Sequence, residues 1–104
     1  MVLLGTNDAR VGSVSGAVSN LQFMVNSANA AGAVAVVGTL PPYLTTAALN
    51  ARSEQISQGI RGLSGARIAD IRSSMGDGST TIADGVHPNG AGQQIIADVF
   101  AASL

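Results

Sequence analysis

The chain has 104 residues, 46% of them hydrophobic, with 13 glycines, 11% charged residues and a net charge of −1. A charged fraction so far below the usual quarter argues against disorder and for a largely interior chain, and the length fits one domain, 1–104, with its own core. The five basic residues are all arginines (Arg10, Arg52, Arg61, Arg67, Arg72) and are dispersed, so nothing points to nucleic acid or to an anionic membrane surface.

There is no cysteine, which removes disulfides and thiolate metal sites. The longest apolar run, Ala33-Val34-Ala35-Val36-Val37, is far too short to span a bilayer. No basic segment precedes an apolar one near Met1, so no signal peptide is expected and a cytoplasmic location is the default.

Val2-Leu3-Leu4, stopped by Gly5-Thr6-Asn7-Asp8, reads as a strand ending in a polar turn. Apolar residues then fall at Val14, Ala17, Val18, Leu21, Met24, Val25 and Ala28, the steps of three and four that mark one face of a helix. Ser13 or Ser15 can cap its start, and Gly32 stands where a helix end takes a left-handed residue. The run from Ala33 to Val37, ending at Gly38, is apolar on both faces, as in a strand buried within a parallel sheet. Pro41 and Pro42 must leave that sheet, because neither can donate to a ladder.

A second helix is expected from about Thr45, with Leu49, Ile56, Ile60 and Leu63 as its buried stripe, weakened by Gly59 and ended between Gly62 and Gly65. Residues 66–71 alternate Ala66, Ile68, Asp70 against Arg67, Ala69, Ile71, which reads as a third strand. Residues 72–83 are polar and glycine-bearing, hence a loop. A last amphipathic helix opens at Asn89 or Gly90, buries Ile95, Ile96, Val99 and Phe100, and runs to the end. The order β-α-β-α-β-loop-α predicts an α/β fold: a three-stranded parallel sheet with flanking helices. Function gathers at the carboxyl ends of such strands.

Two stretches lie there. Asp84-Gly85-Val86-His87-Pro88-Asn89 holds the single histidine, with a carboxylate three residues before it. If Asp84 accepts the Nδ1 proton of His87, the ring is held in one tautomer and can serve as a general base. Taken alone, a D-x-x-H match is more often a histidine beside a helix start, merely hydrogen-bonded to its neighbour. Asn7, at the end of the first strand, could donate to an oxygen that becomes negative in acyl transfer; alone, it is better explained as a turn or cap. Asp8 reads as structural. Asp77, or Asp70 with Asp84, fits no metal-loop spacing, so neither a metal nor a cofactor is expected. Residues 39–43 could line a cleft or simply connect strand to helix.

Together these blocks resemble the SGNH/GDSL hydrolases: Gly5-Thr6-Asn7-Asp8 after a strand, Val36-Val37-Gly38-Thr39-Leu40-Pro41-Pro42 as a core strand with its proline-rich exit, Asn50-Ala51-Arg52 in the next helix, and Asp84 to Asn89 before the last one. The resemblance covers nearly the whole chain in order. It implies that Asn7 is an oxyanion-hole donor, His87 the base that also activates water, and Asp84 the acid that orients it. It further implies a flavodoxin-like parallel sheet, a small ester substrate and no metal.

The family's nucleophilic serine, in a Gly-Asp-Ser motif, and its oxyanion-hole glycine both precede the blocks found in this chain. The expectation is therefore a truncated SGNH-like domain, inactive or very weak alone. Ser13 and Ser15 are better explained as helix caps, and Ser73, Ser74 and Ser79 have no special setting. An exposed first strand also invites pairing, so a homodimer through Val2, Leu3 and Leu4 is expected. Two alternatives stay open: a serine supplied by another chain or across a dimer, and a non-catalytic dimeric binding or scaffold domain.

Overall fold

A computed structural model describes residues 13–85 and 87–104 of the chain. The expected first strand, Val2-Leu3-Leu4, lies outside the described residues, as do Asn7, Asp8 and the dimer contact assigned to that strand. The described elements run α1 (Val14–Ala30), β1 (Ala35–Gly38), α2 (Ala47–Arg61), β2 (Ala66–Ala69), α3 (Ile71–Met75) and α4 (Gly90–Ser103). The strands pair in parallel, Ala35 opposite Ala66 through Gly38 opposite Ala69. The fold is α/β, with a two-stranded parallel sheet among the described residues and helices flanking it.

α1 follows its apolar spacing, with Ala17, Leu21 and Val25 buried. Ser13 is the cap, its Oγ accepting from the Gly16 N–H, so Ser15 is left as an exposed helical residue. The helix ends in a glycine-dependent motif: Gly32 takes φ +83°, and the Ala33 N–H donates to the Ala28 carbonyl across it. That bond spends Ala33 on the helix end. The strand therefore starts two residues later than its apolar run, and Val34 is 67% exposed.

The sheet separates two apolar clusters. On one face Val37 packs with Leu21 and Val25 of α1 and with Ile56 and Ile60 of α2; on the other Val36 packs with Ala69, Ile71, Met75, Ile82 and Phe100. Each fully buried aliphatic side chain here stabilises the fold by about 2 kcal/mol. Gly59 is not a mere weakness in α2. A Cβ there would come within 2.4 Å of Val18 Cγ2, so the glycine permits close approach of α1. The stripe of α2 also includes two buried serines, Ser53 and Ser57, and the Ser57 Oγ accepts from the Leu40 N–H.

Two expectations are corrected. The third predicted strand stops at Ala69 rather than Ile71, because Asp70 leaves the ladder to cap a helix, its side chain accepting from the Ser73 N–H. Residues 72–83 are then not wholly loop. α3 occupies their start, and Arg72 within it is buried. In α4 the start at Asn89–Gly90 agrees, but only Phe100 of the expected apolar stripe is fully buried, while Ile95, Ile96 and Val99 pack partly covered against the second cluster.

Asp70 ties these pieces together. Its carboxylate accepts from Thr39 Oγ1 at 3.0 Å, from Ser73 Oγ at 3.0 Å and from Arg61 Nε and Nη2 at 3.1 Å each. Burial alone raises the carboxyl pKa, but the hydrogen bonds from Arg61, Ser73 and Thr39 outweigh it and hold the group at about 2. A depressed carboxylate stabilises the fold above its unfolded pKa near 4, and that contribution is lost as pH falls toward 2. Asp70→Asn is thus expected to cost about 1 kcal/mol at pH 7, a value discounted for solvent screening because the side chain is 39% exposed. Urea titrations of both proteins should show the gap narrowing between pH 4 and pH 2.

Candidate functional site

The loop after α3 is built as a tight two-stranded turn. Ile82 and Pro88 form an isolated antiparallel bridge, the Ala83 N–H donates to the His87 carbonyl at 2.8 Å, and the Asn89 N–H donates to the Thr81 carbonyl at 2.8 Å. Gly85 at the turn has φ +88°, a conformation that costs little only without a Cβ. Asn89 closes the far side: its Oδ1 accepts from the Gly92 N–H and caps α4, while its Nδ2 donates to the Thr80 carbonyl.

This frame presents the Asp84–His87 couple. Asp84 Oδ1 accepts from the His87 backbone N–H at 2.7 Å, and Oδ2 lies 2.7 Å from His87 Nδ1. An ionised carboxylate only accepts, so the short contact assigns the proton to Nδ1 and leaves the Nε2 lone pair free to act as a base. The two carboxylate oxygens thus fix both the backbone and the ring of His87. Both side chains stand in solvent, His87 77% and Asp84 57% exposed. The arrangement can take a proton at Nε2 and stabilise the imidazolium that results.

The couple expected from sequence is therefore brought together, whereas Asn7 lies outside the described residues. No serine hydroxyl among the described residues is hydrogen-bonded to the His87 ring. Ser13 caps α1, Ser73 donates to Asp70, and the Ser79 N–H bonds to Asp77 in a local turn. Among the described residues no group of three or more His, Asp or Glu could hold a metal ion. Asp70, once weighed as a possible partner of Asp84 for a cation, is bound instead to Arg61, Ser73 and Thr39.

The expected cleft segment 39–43 has a definite task. The Leu44 N–H donates to the Gly85 carbonyl at 2.6 Å, and the Tyr43 N–H donates to Asn50 Oδ1 at 2.9 Å. Behind them Arg72 donates to the carbonyls of Leu40, Pro41 and Asn50 and to Asn50 Oδ1, and it pairs with Glu54. Sequence reading missed Arg72 because a buried arginine is recognisable only by distant carbonyls that no spacing records. A separate apolar groove of about 290 Å³ lies between Met24 and Ala28 of α1 and Val34 and Val36 at β1, and neither Asp84 nor His87 lines it. No helix among the described residues is long and apolar enough to cross a membrane.

No protein-family model matches the chain, and neither a curated protein nor a solved structure matches it.

Proposed function

We propose that the chain is an SGNH/GDSL-type ester hydrolase domain that supplies the base, its orienting acid and an oxyanion donor, while the nucleophilic serine comes from another segment or chain. The observation that carries this reading is the Asp84–His87 contact of 2.7 Å at Nδ1, on a side chain that is 77% exposed. The parallel pairing of β1 and β2 with helices between and after them supports this reading, in which the sheet is part of a flavodoxin-like one. Asn7 would then stand at a carboxyl end of the sheet, where the oxyanion donor belongs.

The wide exposure of the couple suits a site covered by something further. Apart from the couple, the apolar groove beside β1 gives a second copy a surface to bury. A homodimer through Val2, Leu3 and Leu4 is accordingly part of this proposal, and a strict monomer by light scattering at micromolar concentration would remove that part. The same groove also favours the second reading, a non-catalytic dimeric binding domain.

The deciding experiment measures hydrolysis of a short-chain nitrophenyl ester by the chain alone and by the chain joined to a Gly-Asp-Ser-bearing first segment of an SGNH hydrolase. The expected result is negligible turnover alone and His87-dependent turnover in the joined protein. Stoichiometric fluorophosphonate labelling of a serine in the unaided chain, lost in His87→Ala, would refute the missing nucleophile. A well-folded joined protein without turnover would leave the binding-domain reading.

A further inference from the structure

We propose that Asn50 is a positioning residue for the Asp84–His87 couple, acting through the segment 43–45 that carries the turn at Gly85. The observation is a continuous chain of short bonds between a buried charge and an exposed base. Arg72, only 8% exposed, donates from Nη2 to Asn50 Oδ1 at 2.6 Å and to the Asn50 carbonyl at 3.2 Å. The same Oδ1 accepts from the Tyr43 N–H at 2.9 Å. The next residue, Leu44, donates its N–H to the Gly85 carbonyl at 2.6 Å. Gly85 follows Asp84 directly, and a Cβ on it would lie 3.0 Å from Thr45 Oγ1, so the two segments are in close contact.

The physical logic is that of a fixed support under a flexible part. Asp84 and His87 are surface residues whose stretch is held at its base by the Ala83–His87 and Thr81–Asn89 backbone bonds while both side chains stand in solvent. A turn of this kind can tilt, and a tilt carries the Asp84 carboxylate away from Nδ1 of a ring that is itself in solvent. The 2.6 Å bond from Leu44 opposes that tilt at the residue between base of the turn and ring. Leu44 can do so only if its own segment is immobile. Pro41 and Pro42 lack N–H groups, so the first strong anchor after them is Tyr43 on Asn50 Oδ1. The guanidinium on the same oxygen polarises that amide and removes its rotational freedom. Supporting groups of this kind fix the geometry of a reacting side chain without touching what it reacts with.

The inference rests on the hydrolase reading only for its consequence on rate; the readout that tests it is the state of the His87 ring. Long-range ¹H–¹⁵N spectra of the ¹⁵N-labelled full chain, taken at alkaline pH where imidazole is neutral, report which ring nitrogen carries the proton. The parent should show one tautomer, protonated at Nδ1. In Asn50→Leu the His87 signals should move to the averaged positions of a free histidine, while melting still shows a folded protein. Asn50→Asp keeps an acceptor for both Tyr43 and Arg72 and should retain the parent's signals. Leu44→Pro deletes the donor to Gly85 without touching Asn50 and should reproduce the shift, which keeps the test decisive should Asn50→Leu not fold. Parent-like His87 signals in a folded Asn50→Leu or Leu44→Pro protein would overturn the proposal, as would loss of the Nδ1 proton in Asn50→Asp. Success or failure of ester hydrolysis bears on none of these outcomes.

Discussion

Arg72→Met is expected to lower the free energy of unfolding by about 3–5 kcal/mol, the usual cost of removing one member of a buried, hydrogen-bonded charge network. The guanidinium is buried and donates to three backbone carbonyls (Leu40, Pro41 and Asn50) as well as to Asn50 Oδ1. Methionine fills a similar volume but leaves those acceptors facing an apolar chain, at about 1–3 kcal/mol for each that water cannot reach. Glu54, the ionic partner, adds little to the loss: it is 38% exposed and keeps Arg61 at 3.1 Å. Arg72→Lys should recover only a small part, because one ammonium cannot reach carbonyls spread over the loop and α2. Urea titration is the measurement. With a slope near 1 kcal/mol per molar, typical of a small domain, the midpoint should fall by about 3 M or more. A change below about 1 kcal/mol would mean that water enters and takes over the carbonyls.

The same network explains how much of the molecule could be read from its sequence. α1 was legible because Ala17, Leu21 and Val25 repeat at helical spacing and a serine stands at the cap. β1 was legible as a fully buried run, but its start was not, since Ala33 is taken by the closing bond of α1. α3 escaped because it has five residues and its buried face includes Arg72; the signal that could have found it is Asp70 three residues before Ser73, a capping pattern that the apparent alternation of 66–71 concealed. At the site, Asp84 and His87 were legible since their contact is local, three residues apart. The support beneath them was not, because Leu44 meets Gly85 and Arg72 meets Asn50 only after the chain has folded. The first strand stays an expectation of its apolar run and the role of Asn7 one of the family resemblance, since both lie outside the described residues.

Gly92→Ala tests the attachment of the candidate site to the fold, and its expected sign is opposite to that of helix propensity. Gly92 lies in the first turn of α4, where alanine is ordinarily preferred to glycine by about 1 kcal/mol. A Cβ at this position would lie 2.4 Å from the Thr81 carbonyl oxygen and 2.9 Å from Pro88 Cβ. The carbonyl cannot yield cheaply, since it accepts the Asn89 N–H at 2.8 Å and so closes the turn that carries Asp84 and His87. Either α4 or the turn must shift, and overpacking of this kind costs about 1–3 kcal/mol, more than the propensity gain. Gly90→Ala is the control: it lies two residues earlier in the same helix and has nothing within 4 Å of its would-be Cβ. It should be neutral or stabilising by up to about 1 kcal/mol. Paired thermal melts should therefore fall for Gly92→Ala and hold or rise for Gly90→Ala, one substitution type on one helix. In Gly92→Ala alone, the His87 ring should also lose its fixed Nδ1–H tautomer, because displacing the Thr81–Asn89 bond loosens the base of the turn. Equal shifts in the two variants would mean that α4 tolerates the added methyl and that the turn does not depend on that contact.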